Sequence, residues 1–137
     1  MYSILSLLNR VFPAQSVYAH CDIPCGIYTT DPMQTAAATV VKMVEKIEEA
    51  DVSDIHDISR FTAVKEEHAQ ICKDQLLILW TDYFKPEHLE MFPELHDTFW
   101  KAAKLCSKVK QEGTMEAAQE LEKAVSQIAE IFYASKK

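Results

Sequence analysis

Apolar residues recur at helical spacing along four stretches of the chain. In the first, Asp31-Pro32 reads as a cap followed by proline at the first helical position, and Val40, Val44 and Ile47 follow at i, i+4 and i+7. A second stretch, roughly 53 to 84, lines up Ile58, Phe61, Val64, His68, Cys72 and Leu76 on one face, and its length predicts a break near its start. The third begins at Pro93, repeats Leu95, Phe99, Ala102, Cys106 and Val109, and is stopped by Gly113. The fourth runs from Thr114 with Leu121, Val125, Ile128 and Phe132 on its inner stripe. Four amphipathic helices joined by short links predict an all-α fold, an antiparallel four-helix bundle over residues 32–135.

Composition agrees with this pattern. A chain of 137 residues, 48% hydrophobic, is long enough for one domain with a buried core and too short for two. Two glycines, five prolines and many Ala, Glu, Lys and Leu residues favour helices over strands. The net charge of −7, with no cluster of Lys and Arg, gives no electrostatic footprint for nucleic acid or an anionic membrane, so neither is expected as a partner.

Residues 1–19 stand apart from the helical pattern. They carry a single charge, Arg10, and end with Val17 and Ala19 at positions −3 and −1 before His20, the small-residue grammar of a peptidase site. A secretory signal would place its positive charge ahead of the apolar run, whereas Arg10 follows Ile4-Leu5-Ser6-Leu7-Leu8. The run also falls short of the roughly 18 apolar residues of a spanning helix. Two readings stay open on these residues: an amphipathic first helix that is retained, or a leader removed on maturation, leaving a domain of residues 20–137. Removal takes Arg10 away and makes the chain one unit more negative.

Directly behind this segment comes YAHCDIPCGIY, residues 18–28, with one histidine and two cysteines in six positions. Cys72 and Cys106 sit at core spacing on helices, where free cysteine behaves as a small hydrophobe. His56, His88 and His96 read as surface or capping residues. His68, on the apolar face of the second stretch, reads as a hydrogen-bonded core histidine rather than a ligand. Cys21 and Cys25 instead lie in a loop punctuated by Pro24 and Gly26, where packing does not call for thiols. Three residues separate them, one too many for a C-x-x-C redox pair. A structural zinc site would have to recruit distant ligands, an iron–sulfur site lacks a third nearby cysteine, and a Cys21–Cys25 disulfide would close a very short loop. Cleavage before His20 would supply what is missing, a free α-amine with a reference pKa of about 7.7–8.0 that can bind a metal. The amine and imidazole of His20, the backbone nitrogen and thiolate of Cys21 and the thiolate of Cys25 then form one compact donor set. Adjacent donors favour a plane, and square-planar nitrogen–sulfur coordination points to Ni(II) or Cu(II), with nickel preferred because two thiolates tend to reduce Cu(II).

The segment HCDIPCGIY, residues 20–28, resembles the nickel hook of the nickel-containing superoxide dismutases, whose mature N-terminus reads H-C-x-x-P-C-G-x-Y. A second block, LWTDYFKPEHLEMFPELH from Leu79 to His96, is similar to the same family, and weaker similarity runs through the last helix. The resemblance implies a four-helix-bundle subunit with an N-terminal metal-binding hook, assembled as a homohexamer. It implies disproportionation of superoxide to dioxygen and hydrogen peroxide by Ni(II)/Ni(III) cycling, with nickel held by His20, Cys21 and Cys25, one ion per subunit. By motif match, Tyr28 and Tyr83 order water and restrict access at the mouth of the metal pocket, Asp22 and Pro24 fix the hook, and Lys85 attracts the anionic substrate. A maturation peptidase and a cytoplasmic location are also implied. The family orients its axial imidazole with a glutamate and an arginine, where this chain has Ala38 and His68; His68 is therefore expected in an altered environment around the metal. A nickel or copper carrier without turnover, and an exported helical binding protein with two disulfides, are the alternatives.

Overall fold

The computed structural model describes residues 26–136. Helix α1 spans Asp31–Glu49 and α2 spans Ile55–Ile78, running on into one π-helical turn at Leu79–Tyr83. A short helix α3, His88–Met91, leads into α4, Leu95–Glu112, and α5, Met115–Ser135, closes the fold. Among the described residues there is no strand, as the periodicity predicted.

The four long helices form a ring in which α1 and α4 each pack on α2 and α5. Cross-contacts fix the directions. The start of α1 meets the end of α5 where Thr30 Oγ1 lies 3.3 Å from Tyr133 OH, and the end of α1 meets the start of α2 where Lys46 sits over the Phe61 ring. The end of α4 meets the start of α5 through Lys108 Nζ and Glu120, 2.7 Å apart. Neighbours therefore run antiparallel, and α4 and α5 bury the stripes read from the sequence: Leu95, Phe99, Ala102, Cys106 and Val109 on one, Leu121, Val125, Ile128 and Phe132 on the other. Burying a ring such as Phe99 or Phe132 completely contributes about 1.5–3 kcal/mol.

The junction between α4 and α5 follows its caps. Gly113 takes φ of 63°, the left-handed conformation that ends a helix cheaply only at glycine, and Thr114 Oγ1 accepts from the Ala117 backbone N–H to begin the next one. Three expectations for the first half need correction. The cap of α1 is Thr30 rather than Asp31, because the Thr30 carbonyl already accepts from Gln34 N at 3.1 Å, which places Asp31 in the first turn. Helix α2 has no break near its start. Asp54 caps it by accepting from Asp57 N, the helix runs unbroken to Ile78, and the irregularity lies at its far end. Its buried face is also rotated from the expected one: Lys65, Ala69, Cys72 and Leu76 face the core, while Ile58, Phe61, Val64 and His68 are half-exposed along its edge.

Candidate metal centre

His20, Cys21, Asp22, Pro24 and Cys25 lie outside the described residues, as does the 1–19 segment. The described chain opens at Gly26, whose φ of 95° suits a residue without a side chain at the exit of the cysteine loop. Two residues on, Tyr28 is buried, and its ring lies 5.5 Å from that of Tyr83. The two tyrosines that the motifs singled out, one in each block, are thus neighbours in space.

Tyr83 reaches this position through the π-helical turn. Phe84 N donates to Leu79 O across five residues, and Thr81 Oγ1 donates back to Leu77 O. The wider turn shifts the following residues around the helix axis, and such turns occur often at functional sites. Here it lays Leu79 and Phe84 against the core and leaves Tyr83 half-buried at its end. The Tyr83 ring packs at 4.7 Å from Phe132 and edge-on to Phe84 at 4.9 Å, and it stacks within 10° of the His88 ring. His88 accepts from the Lys85 backbone N–H at its Nδ1, so the ring that lies on Tyr83 also pins the loop carrying Lys85. The side chain of Lys85 is exposed, on the rim of a groove of about 380 Å³ that it shares with Trp80, Phe84, Leu89 and His96.

The hydroxyl of Tyr83 lies 2.9 Å from Ser135 Oγ, and Ser135 Oγ donates to Phe132 O at 2.7 Å. Serine has one proton to give, so Tyr83 is the donor in this pair and its oxygen keeps acceptor capacity on the other side. One residue further, Lys136 Nζ donates to the Tyr28 carbonyl at 3.4 Å and lies 4.1 Å from the Phe132 ring centroid. The last turn of α5 thus holds both tyrosines.

Ser135, Lys136 and His88 had no signal in the sequence as site residues. Serine and lysine near the end of a helix are ordinary, and only the tertiary contact with Tyr28 and Tyr83 distinguishes them. His68 is half-buried, with Nδ1 3.0 Å from Val64 O of its own helix, and Ala38 is exposed on α1. Among the described residues, no group of three or more His, Cys, Asp or Glu side chains gathers to hold a metal ion.

A helical bundle with two tyrosines packed together at one end, in a chain that carries a histidine and two cysteines shortly ahead of the first of them, has the parts of a small redox metalloenzyme. The chain belongs to the nickel-containing superoxide dismutase family, whose family model matches residues 15–136. It is 39% identical over 132 residues to the nickel superoxide dismutase of Streptomyces seoulensis, covering 96% of this chain and 99% of that one. The nickel superoxide dismutase of Streptomyces coelicolor is 37% identical over the same shares. The native crystal structure of a nickel superoxide dismutase superposes with a TM-score of 0.79 at 36% identity, over 86% of this chain and all of that one. A nickel-containing superoxide dismutase with nickel ligation corresponding to the oxidised state superposes equally well at 37% identity, over 85% and 98% of the two chains. Superoxide dismutation with nickel as cofactor is the activity this membership carries, in preference to the carrier and the disulfide-bonded binding protein.

Proposed function

We propose that residues 1–19 are removed on maturation and that His20, with its freed α-amine, binds nickel together with Cys21 and Cys25, with Asp22 and Pro24 shaping the hook. The observation that carries this reading is the contact between Tyr28 and Tyr83. Tyr28 stands three residues beyond Cys25, and its packing on Tyr83 supports seating the hook at that end of the bundle. The donor set fits the cofactor: thiolate and nitrogen ligands together select a borderline-soft ion such as nickel, and a carboxylate-rich site would not. When bound, nickel supplies the one-electron couple that oxidises one superoxide and reduces the next.

The residues around it manage substrate and protons. Superoxide is a small anion approaching a chain whose net charge of −7 becomes one unit more negative when Arg10 is removed with residues 1–19, so a local positive field is needed at the mouth. Lys85 supplies it from the exposed loop after the π-helical turn, and Lys136 adds a second cation beside Tyr28. Tyr28 and Tyr83 narrow the approach to small molecules. Because the Tyr83 proton is committed to Ser135, its oxygen orders water by accepting, and water carries protons toward the peroxide product. The enzyme acts as a homo-oligomer, a homohexamer as in the family pattern, in keeping with exposed Trp100, Met91 and Tyr133, each more than half accessible on the single chain. Among the described residues no helix is long and apolar enough to cross a membrane. Maturation by a peptidase in the cytoplasm completes the reading.

The experiment is N-terminal sequencing and intact mass of the natural protein, paired with nickel analysis and a superoxide-decay assay. Active protein should begin at His20 and hold equimolar nickel, while protein retaining residues 1–19 should be inactive. Full activity in the uncut form would overturn the assignment of the amine.

A further inference from the structure

The two cysteines that the nickel chemistry leaves unused stand opposite each other in the core. Cys72 on α2 and Cys106 on α4 have no solvent exposure, and their side chains hydrogen-bond to each other. Bonds on either side fix the register. One residue further along each helix, Lys73 Nζ donates to Ser107 Oγ at 3.2 Å, and Lys110 Nζ donates to Gln70 Oε1 at 2.7 Å. Fully buried Ala69 and Ala102 lie one turn from the two cysteines and let the backbones approach closely, as a disulfide between facing helices requires.

The environments of the two thiols differ. The contact with Cys106, reinforced by burial, pushes the Cys72 thiol up, so Cys72 keeps its proton. The hydrogen bond from Cys72 holds Cys106 below the usual thiol range against the effect of burial, with Lys73 and Lys110 adding positive field. With the ammonium groups of Lys73 and Lys110 adding positive field beside it, Cys106 is the sulfur placed to act as the nucleophile and Cys72 the partner that resolves it.

We propose that Cys72 and Cys106 form a redox modification site, which hydrogen peroxide, the product of the enzyme's own reaction, converts to a disulfide between α2 and α4. The sulfur of Cys106 attacks one peroxide oxygen, the O–O bond breaks, and the departing hydroxide takes the thiol proton to leave as water. Cys106 is then a sulfenic acid. The sulfur of Cys72 attacks it, the S–O bond breaks, and the hydroxyl leaves with the Cys72 proton as a second water. Two thiols give up two electrons and two protons, and one peroxide becomes two waters. Peroxide is small and uncharged, and it reaches the buried pair through local opening of the α2–α4 seam, so the reaction is slow beside turnover. The bond ties the helix that carries Tyr83 to the helix that carries Phe99, whose ring packs on Phe84 at 5.4 Å. Oxidation therefore fastens the bundle behind the metal site when product accumulates.

The test uses the mature, nickel-loaded wild-type protein. It is incubated with added hydrogen peroxide, quenched by alkylation under denaturing conditions and digested with trypsin without reduction. Residues 66–73 should be recovered joined to residues 105–108, the link should account for most of Cys72, and reductant should release both peptides. Recovery of both peptides alkylated, each oxidised separately, or either joined to Cys21 or Cys25 would overturn the proposal. Because the peroxide is added, the result does not depend on dismutase activity or on the ligand assignment in the hook.

Discussion

Replacing Lys65 by methionine tests how the bundle tolerates a cation in its core. The residue is only 4% exposed. Its Nζ donates to Val109 O at 3.2 Å and to Lys110 O at 3.4 Å, both in the last turn of α4, where helix carbonyls run short of backbone partners and Val109 O has only the capping Gly113 N. A side chain of α2 thus caps the C-terminus of α4 with a positive charge, where the helix dipole favours one. Lys65→Met keeps most of the apolar stem and deletes the ammonium. Charge-assisted bonds contribute about 1.5–3 kcal/mol each, and the dipole adds about 0.3–1 kcal/mol. Two effects reduce the sum. Val109 O also accepts from Gly113 N at 3.1 Å and stays satisfied, and the variant no longer has to desolvate an ammonium, which costs several kcal/mol. The ion pair with Glu66, whose side chain is 41% exposed, adds little. The net expectation is a loss of about 1–3 kcal/mol, or a fall in Tm of about 4–12 °C for a domain of this size. Calorimetry or urea unfolding should compare wild type, Lys65→Met and Lys65→Ala at one protein concentration and equal nickel loading, because assembly and metal binding both shift apparent stability. Lys65→Ala should lose more, since the stem goes too. A Lys65→Met protein as stable as wild type, or more so, would refute the capping argument and show that desolvation outweighs the two bonds.

Two further outcomes follow from the hydrogen bonds. Tyr83→Phe should destabilise by about 1 kcal/mol and Ser135→Ala by more, since it also removes the bond to Phe132 O, and the double variant should cost little more than Ser135→Ala alone, because both remove the shared bond; additive losses in a double-mutant cycle would show that the two hydroxyls are not coupled. Asp51, ahead of α2, accepts from Ser53 Oγ at 2.6 Å and Ser53 N at 2.8 Å, and these bonds hold its carboxyl below the ordinary value of 3.8. Its contribution is therefore complete above 3.8 and is lost as pH falls through the lower folded value, so the Ser53 amide resonance should titrate with a midpoint under 3.8, and a midpoint at or above it would refute the bond.

The sequence made the second half of the bundle legible almost residue by residue. Helices α4 and α5 each present one clean apolar stripe, bounded by a glycine in the left-handed conformation and a threonine cap, so local pattern and tertiary fold agree. Helix α2 was harder because both of its sides are partly apolar. Spacing chose the face with Phe61, Val64 and His68, whereas close packing chose the one with Ala69, where α4 can approach, and sent Lys65 inward to a partner that no local window contains. The π-helical turn escaped for a related reason. Nothing in Leu79–Tyr83 breaks a helix, and the wider turn is imposed by seating Leu79 and Phe84 in the core. The two tyrosines drew attention through their motifs and are neighbours in space, while the residues that hold them carried no local signal.

That asymmetry has a physical basis in the last turn of α5. Phe132, Ser135 and Lys136 stand at i, i+3 and i+4, one face of one helical turn. All three touch the tyrosines: Phe132 by its ring, Ser135 by its hydroxyl, and Lys136 by its ammonium on the Tyr28 carbonyl, 108 positions away in the chain. A helix end ordinarily frays, since its last carbonyls lack partners. Here the Ser135 hydroxyl takes up the Phe132 carbonyl and in the same stroke accepts from Tyr83, so one side chain both stiffens the turn and aligns the phenol. The stretch from Gly26 to Thr30 has no regular structure, and it is held by this grip and by the Tyr28–Tyr83 contact. The position of Tyr28 therefore depends on the last turn of α5, through contacts that only the closed antiparallel bundle creates.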